Sequence, residues 1–238
     1  GAPDFGTTKL LNPAAMISPS HIVLAPLAMS EVTLPKQDEL RVCGTPDAPS
    51  RLDASDALRA AVLAQFGAKD HYDCILTSGA PDAAQILGEC YPFDDDGTLL
   101  LTADSHPSVQ GVQAQCARQG GTFHSAPMRG NMAMDTAALK QMLLGLEGRN
   151  KLFTFPRLCC SSGVQHKLKW VRRAQRLGWD VFLDATQCAP RTSLCLLAMQ
   201  PEFVAVSLRV DISTSHSQGE LLVRKDVCRK LTLSTLGI

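Results

Sequence analysis

The chain has 238 residues, of which 45% are hydrophobic, enough to bury the core of one large domain. Lysine plus arginine equals aspartate plus glutamate, 23 of each, so no net charge attracts nucleic acid or an anionic membrane. No apolar run approaches the roughly 20 residues that a membrane-spanning helix needs. The 9 cysteines are scattered without a CxxC pair, which favours free thiols in a reducing compartment. We therefore expect a cytoplasmic protein, or an organellar one if a leader has been removed.

Residues 1–50 are rich in proline, with 7 of the 14 prolines of the chain. Proline lacks a backbone N–H and fixes its own backbone, so this density argues against long regular elements. Only residues 21–25 look strand-like. We predict an irregular N-terminal segment over residues 1–50.

From residue 51 onward, helical and strand-like segments alternate. Helices are predicted at residues 56–66, 81–90, 108–119, 135–146 and 167–177. Apolar strands are predicted at residues 73–77, 98–102, 151–155, 180–184, 203–207 and 220–224. The pattern predicts a three-layer α/β/α domain over residues 51–238, with a mainly parallel seven-stranded sheet. The last two strands are joined by a loop too short for a crossover helix, which predicts that the final strand is antiparallel.

Individual residues mark the ends of some of these helices. Ser55 or Asp53 could cap the first helix, and Gly67 follows its end. Pro81 falls in the first turn of the second helix, where its missing N–H costs nothing.

Three stretches with polar residues fall at strand ends, where ligands bind in open parallel sheets. Ser78, Gly79 and Ala80 could form an anion-binding turn at a helix N-terminus, although such junctions are also common for steric reasons. Asp184 ends an apolar strand and could either hold a heterocycle nitrogen or cap the following turn. Ser207 ends another strand, where a serine is usually a local hydrogen bonder.

The order and spacing of these stretches resemble the class V aminotransferase-type proteins, specifically the molybdenum cofactor sulfurases and cysteine desulfurases. The resemblance covers about residues 51–230. Its strongest pieces are Asp-Cys-Ile-Leu-Thr-Ser-Gly-Ala at 73–80, Leu-Gly-Glu-Cys-Tyr-Pro-Phe at 87–93, Leu-Gly-Trp-Asp-Val-Phe-Leu-Asp-Ala-Thr-Gln at 177–187, Pro-Glu-Phe at 201–203 and Gly-Glu-Leu-Leu-Val-Arg at 219–224. It implies the large domain of a fold-type-I enzyme that uses pyridoxal phosphate (PLP).

The resemblance assigns one group of residues to the phosphate of PLP. Ser78, Gly79 and Ala80 match the family's phosphate-binding turn. Ser207 matches a serine that contacts the phosphate just before the cofactor lysine.

A second group is assigned to the ring of PLP. His106 matches the histidine that stacks on the ring, although it could equally cap the helix that begins at Pro107. Asp184 matches the partner of the pyridinium nitrogen. Gln187 matches the side chain that hydrogen-bonds the ring hydroxyl.

The chain departs from the family at several of its cofactor positions. Val210 stands where the lysine of the internal Schiff base is expected, and no lysine occurs between residues 169 and 225. Pro81 replaces the threonine of the phosphate turn, and Cys160 replaces an asparagine that faces the ring hydroxyl. Arg209 replaces the residue before the lysine. We therefore expect no catalytic residue at position 210, and PLP absent or weakly bound.

Cys159 and Cys160 follow a predicted strand and have two interpretations. A thiol facing the substrate could accept sulfur if a neighbouring cation lowered its pKa. A buried thiol that packs as a small hydrophobe is the interpretation that we favour.

Three functions remain open on these residues. The favoured one is a degenerate relative that assembles, as a homo- or hetero-oligomer, through the family's dimer surface. The others are an active PLP-dependent sulfurtransferase whose lysine comes from elsewhere, and a non-covalent binder of a phosphorylated small molecule. The resemblance also implies a small C-terminal domain, which we expect to be absent from this chain.

Overall fold

The computed structural model describes residues 51–188, 195–207 and 219–231. The segment 1–50, with the strand expected at residues 21–25, lies outside the described residues. So does the loop that contains Arg209 and Val210. The division between an irregular segment and a domain beginning at residue 51 therefore stays a prediction.

A seven-stranded sheet forms the centre of the described part. Its strands are β1 (Tyr72–Thr77), β2 (Gly97–Thr102), β3 (Thr122–Ala126), β4 (Asn150–Pro156), β5 (Asp180–Asp184), β6 (Phe203–Val206) and β7 (Gly219–Arg224). Their order across the sheet is β1-β7-β6-β5-β4-β2-β3. The pairs from β3 to β6 are parallel, whereas β7 is antiparallel to both β6 and β1. Strands β1 to β6 consequently run in one direction, which confirms the mainly parallel sheet and the reversed last strand.

Helices cover both faces of the sheet. They are α1 (Arg51–Gln65), α2 (Ala80–Cys90), α3 (Gln110–Arg118), α4 (Thr136–Gly145), α5 (Lys169–Gln175) and α6 (Leu196–Met199). Neighbouring residues of each strand point to opposite faces, so Leu99 and Leu100 enter two separate hydrophobic clusters. One cluster packs under α1, α4 and α5, and the other under α2 and α3. The predicted three-layer arrangement is confirmed, and no helix in the described ranges has the length and apolarity to cross a bilayer.

The helix and strand boundaries differ from the sequence pattern in a few places. Helix α1 already begins at Arg51, so the expected caps at Asp53 and Ser55 are wrong because both lie inside the helix. Gly67 is confirmed at its end, where a φ of +60° allows Ala68 to return a hydrogen bond to an earlier carbonyl. Strand β3 lies at the sheet edge, and the sequence pattern does not indicate it because most of its side chains are exposed.

A buried carboxylate connects four elements at the amino edge of the sheet, which is the edge where the parallel strands begin. The Glu202 side chain is only 5% exposed and lies 2.8 Å from Nη1 of Arg224 at the end of β7. It accepts hydrogen bonds from Gln175 Nε2 of α5 at 3.0 Å and from the backbone N–H of Val181 in β5 at 2.8 Å. Burial raises the pKa of Glu202 more than the charge of Arg224 lowers it.

Removing the cation of this buried pair is expected to destabilise the domain. In Arg224→Ala the Glu202 carboxylate stays buried without its countercharge, which should lower the free energy of unfolding by about 3 kcal/mol. Urea denaturation followed by circular dichroism measures the change. Arg149→Ala is the matched control, since its ion pair with Asp96 is 80% and 53% exposed and should contribute little. Equal losses in the two variants would contradict a special role for the buried pair.

Candidate functional site

The shared direction of the strands brings the predicted site residues to one edge of the sheet. Strands β1 to β6 all end at this carboxyl edge, and the reversed β7 begins there. The residues that follow these strand ends include every position assigned from the sequence, namely Ser78, Gly79, Ala80, His106, Asp184, Gln187 and Ser207. These residues therefore lie at one edge of the sheet, and the roles assigned to them toward a cofactor stay predictions.

The turn between β1 and α2 has its first donors occupied by a carboxylate of the chain itself. Oδ2 of Asp82 accepts hydrogen bonds from the backbone N–H of Ser78 at 2.9 Å and from the Ser78 hydroxyl at 3.1 Å. Asp82 belongs to the first turn of α2, where the helix dipole favours an anion. The arrangement stabilises the helix N-terminus without any ligand. Sequence analysis missed Asp82, although an acidic residue four positions after the serine was visible.

The same turn is packed tightly against the start of β7. Gly79 has a φ of +143°, and Gly219 lies so close that a Cβ added to it would be 2.7 Å from Cα of Gly79. The Thr77 hydroxyl donates to the carbonyl of Gly219 at 2.8 Å. Pro81 lies in the first turn of α2, as expected, and supplies no N–H. The backbone of the turn is therefore fixed, and fewer of its groups remain free to bind an anion.

His106 caps the short 3-10 helix at Pro107–Val109. Its Nδ1 accepts a hydrogen bond from the backbone N–H of Ser108 at 3.1 Å and lies 2.8 Å from the hydroxyl of the same residue. Nδ1 of His106 thus caps this helix, which is one of the two interpretations that the sequence offered. The stacking role remains a prediction.

Asp184 is buried at the end of β5, with 5% of its surface exposed. Its Oδ1 accepts hydrogen bonds from the hydroxyl of Thr186 at 2.6 Å and from the backbone N–H of that residue at 3.1 Å. This is the turn-capping role that an aspartate after a strand often has. Gln187 is exposed and Ser207 is half-buried. Their roles toward a ring or phosphate remain predictions.

A buried hydrogen bond between a carboxylate and an imidazole links the loops that follow β2 and β4. His166 Nε2 lies 2.6 Å from Oδ2 of Asp104, and the two side chains are 3% and 2% exposed. Burial alone would raise the pKa of Asp104, but the hydrogen bond from His166, together with that from Thr102, holds it below its usual range. Sequence analysis missed this pair because its members are 62 residues apart.

Arg157 connects this pair to the strand that carries Asp184. Its backbone N–H donates to the carbonyl of Asp184 at 2.7 Å, and its carbonyl accepts from the backbone N–H of His166 at 3.0 Å. Its guanidinium also donates to the carbonyl of His166. The loops at the ends of β2, β4 and β5 are thereby held in one arrangement.

The two adjacent cysteines occupy different environments. Cys159 is buried, and its Sγ lies 3.2 Å from the hydroxyl of Ser161 and 3.8 Å from the carbonyl of Asp104. Burial would raise the pKa of the Cys159 thiol, but hydrogen bonds from Ser161 and Ser162 outweigh it and lower the pKa. Cys160 is exposed. The favoured buried interpretation therefore fits Cys159, and it is wrong for Cys160.

The chain is similar to molybdenum cofactor sulfurases. It is 30% identical over 187 residues to molybdenum cofactor sulfurase 2 of Culex quinquefasciatus, covering 73% of this chain and 23% of that protein. It is 26% identical over 230 residues to the molybdenum cofactor sulfurase of Arabidopsis thaliana, covering 80% of this chain and 28% of that protein. The chain thus spans about a quarter of the length of these relatives. No protein-family model matches the chain.

Solved structures of cysteine desulfurases have the same fold. The apo enzyme from Thermococcus onnurineus NA1 aligns with a TM-score of 0.67 at 17% identity, covering 75% of this chain and 44% of that one. CsdA from Escherichia coli aligns at 0.66 and 14% identity, covering 82% and 51%. A lysine-to-alanine variant of C-DES, with glycine covalently linked to its PLP cofactor, aligns at 0.61 and 19% identity, covering 74% and 46%.

The buried Asp104–His166 pair is expected to govern acid stability. Because the pKa of Asp104 is lowered in the folded state, its contribution is present above the unfolded pKa of about 3.9 and is lost as pH falls through the folded value. Asp104→Asn should lower the free energy of unfolding at pH 7 by about 3 kcal/mol and flatten its decline below pH about 4.

Urea titrations at several pH values measure both effects. Asp70→Asn is the control, because Asp70 is an exposed carboxylate of the same chain and should leave the profile unchanged. An unchanged acid profile in Asp104→Asn would contradict the proposed contribution of the pair.

Proposed function

We propose that this chain, a relative of the molybdenum cofactor sulfurases, is a catalytically degenerate form of them. The premise is that it has the fold of the class V PLP-dependent enzymes. In this proposal the domain is retained as a structural or partner-binding subunit of a cytoplasmic protein. The observation that carries the proposal is the Asp82 carboxylate on the Ser78 turn. The residues present fit a PLP phosphate poorly, so no chemical step through PLP is derived for this chain.

Asp82 disfavours a phosphate in two ways. It occupies the N–H and hydroxyl of Ser78, two donors that an incoming phosphate would otherwise use. It also fixes a negative charge at the turn, and two like unit charges about 4 Å apart near a protein surface repel by about 4 kcal/mol. The attraction of a helix N-terminus for an anion contributes about 0.3–1 kcal/mol, up to about 2. The repulsion is therefore the larger effect.

The valine at position 210 supports the same conclusion from the chemistry of the reaction. Imine exchange and transfer of the substrate's α-proton both need a primary amine close to the cofactor, and Val210 has none. The loss of a nucleophile of this kind costs several orders of magnitude in rate in well-studied enzymes. A lysine-to-alanine variant of C-DES nevertheless has glycine covalently linked to its PLP cofactor. In this proposal the valine at position 210 explains the loss of turnover, and the Asp82 carboxylate at the Ser78 turn explains weak binding of PLP.

The well-packed core supports retention of the fold for assembly. The side chains of the central strands are buried on both faces, and the carboxyl-edge loops are held by Asp104, Arg157 and His166. A core of this kind maintains the fold, and assembly with a partner needs the fold without needing catalysis. We propose that assembly is as a homo- or hetero-oligomer through the surface that forms the dimer in PLP enzymes of this fold.

The two alternative functions make distinct demands on the same turn. An active sulfurtransferase needs PLP bound at the carboxyl edge and a lysine supplied by another chain. A non-covalent binder of a phosphorylated small molecule needs the phosphate turn without the lysine. The Asp82 carboxylate disfavours both, because both place a phosphate at Ser78.

The proposal predicts how the purified chain responds to PLP. Wild-type protein should form no borohydride-reducible adduct and should not convert cysteine to alanine and sulfide. Val210→Lys alone should also fail, because Asp82, Pro81 and Cys160 still leave the phosphate and the ring hydroxyl without their partners. Mass spectrometry after borohydride reduction decides the question. PLP on a lysine that lines the carboxyl edge would overturn the proposal and favour the active enzyme.

A second comparison tests the role of Asp82 directly. Calorimetric titration with PLP and with pyridoxal, which lacks the phosphate, should show no preference for PLP in the wild type. Asp82→Ala should bind PLP more tightly than pyridoxal by about tenfold, because a like charge is removed from the turn. Asp70→Ala removes an exposed carboxylate before β1, at the opposite edge, and serves as the control. A clear PLP preference in the wild type would contradict the proposal.

A further inference from the structure

The helix α5 and the residues just before it carry an unusual concentration of positive charge. Residues 167–176 read Lys-Leu-Lys-Trp-Val-Arg-Arg-Ala-Gln-Arg, with five cations and no acidic residue, in a chain whose total charges balance. All five side chains belong to exposed residues, namely Lys167, Lys169, Arg172, Arg173 and Arg176. We call this set the basic face. Exposed helices ordinarily mix both signs, so this segment needs its own explanation.

The charges of the basic face are not neutralised within the described residues. None of the five forms an ion pair with a carboxylate in the ranges that the structure covers. Arg172 is held by a neutral acceptor, because its Nη2 donates to the carbonyl of Ala198 at 2.6 Å. Arg173 is held by an aromatic ring, with its guanidinium carbon 4.9 Å from the centre of Trp170. Two guanidinium groups are thus oriented while their charge remains available.

A groove adjoins the basic face at the amino edge of the sheet. It has a volume of about 370 Å³ and is lined by Arg172, Gln175, Arg176, Met199, Gln200 and Arg224. The charge of Arg224 is already matched by Glu202 and Asp226. Arg172 and Arg176 therefore provide the uncompensated charge of the groove, on its helix side. The groove therefore offers two cations that lack a carboxylate partner among the described residues to the acidic side chains of another protein.

We propose that the basic face and this groove form a docking surface for an acidic segment of a partner protein. Charge complementarity identifies the chemistry of the partner, because oriented guanidinium groups pair with carboxylates and lose little freedom in doing so. A nucleic acid is the less suitable partner, since it needs many phosphate contacts along an extended surface and the chain has no net charge. The groove lies at the edge opposite to Ser78 and Asp184, and the basic face extends toward it from Lys167, which directly follows His166.

This inference does not depend on the proposed function. The docking surface would operate equally in an active enzyme, because none of its residues belongs to the candidate site. Failure of one proposal therefore leaves the other standing, and the experiments use different variants.

Fluorescence anisotropy with the whole chain tests the docking surface. The probes are a labelled twelve-residue peptide of alternating glutamate and serine, the same peptide with glutamine for glutamate, and a labelled single-stranded RNA of equal charge. The test variant is Arg172→Gln, Arg173→Gln and Arg176→Gln combined, which removes charge and keeps helix-forming residues. The matched control is Lys69→Gln, Arg118→Gln and Lys140→Gln combined, which removes three exposed charges elsewhere. Circular dichroism establishes that both variants are folded.

The acidic peptide is expected to bind the wild type and the control variant alike, and to bind more weakly as salt is added. Its affinity for the test variant should fall by about tenfold or more. The glutamine peptide should bind neither. Equal binding of the acidic peptide to both variants, or no binding at low salt, would overturn the proposal. Tighter binding of RNA than of the peptide would replace it with a nucleic-acid surface.

Discussion

The parallel course of β1 to β6 is the constraint on which the other features of this domain depend. Parallel strands need crossover connections, and these place helices on both faces and bury the strands almost completely. Because the strands point one way, every turn from strand to helix falls at the carboxyl edge, and every return falls at the amino edge. The candidate cofactor residues are confined to the first edge, and the Glu202 pair and the groove beside α5 lie at the second. Reversal of β7 places its first residue, Gly219, against the turn after β1.

At the carboxyl edge, side chains of the protein accept hydrogen bonds from backbone N–H groups that a bound anion accepts at other helix N-termini. A helix N-terminus exposes N–H groups that need acceptors. Here Asp82 is such an acceptor for the turn at Ser78, and His106 and Asp184 cap turns of their own. Each of these contacts lowers the free energy of the ligand-free chain.

The order of the helices and strands was predictable from the sequence, because buried parallel strands and amphipathic helices have strong periodic patterns of apolar residues. Sequence analysis located β5 at Asp180–Asp184 and the reversed β7, whereas the cofactor roles that it assigned to residues at the carboxyl edge stay predictions. It missed β3, whose five residues are mostly exposed and carry no apolar alternation. It also missed the Asp104–His166 pair and the Asp82 contact. A pairing across 62 residues depends on how loops meet in space, and the choice of acceptor by Ser78 depends on the geometry of a single turn.

The close approach of Gly79 and Gly219 also bears on how such a domain changes over evolutionary time. A side-chain carbon on Gly219 would lie 2.7 Å from the backbone of Gly79, so substitution of Gly219 is restricted by this turn. Gly219 directly follows the segment in which the family's lysine would stand. A Cβ at Gly219 would have to displace the backbone of the turn before α2, so we expect glycine to persist at the first residue of β7 wherever this turn keeps its conformation.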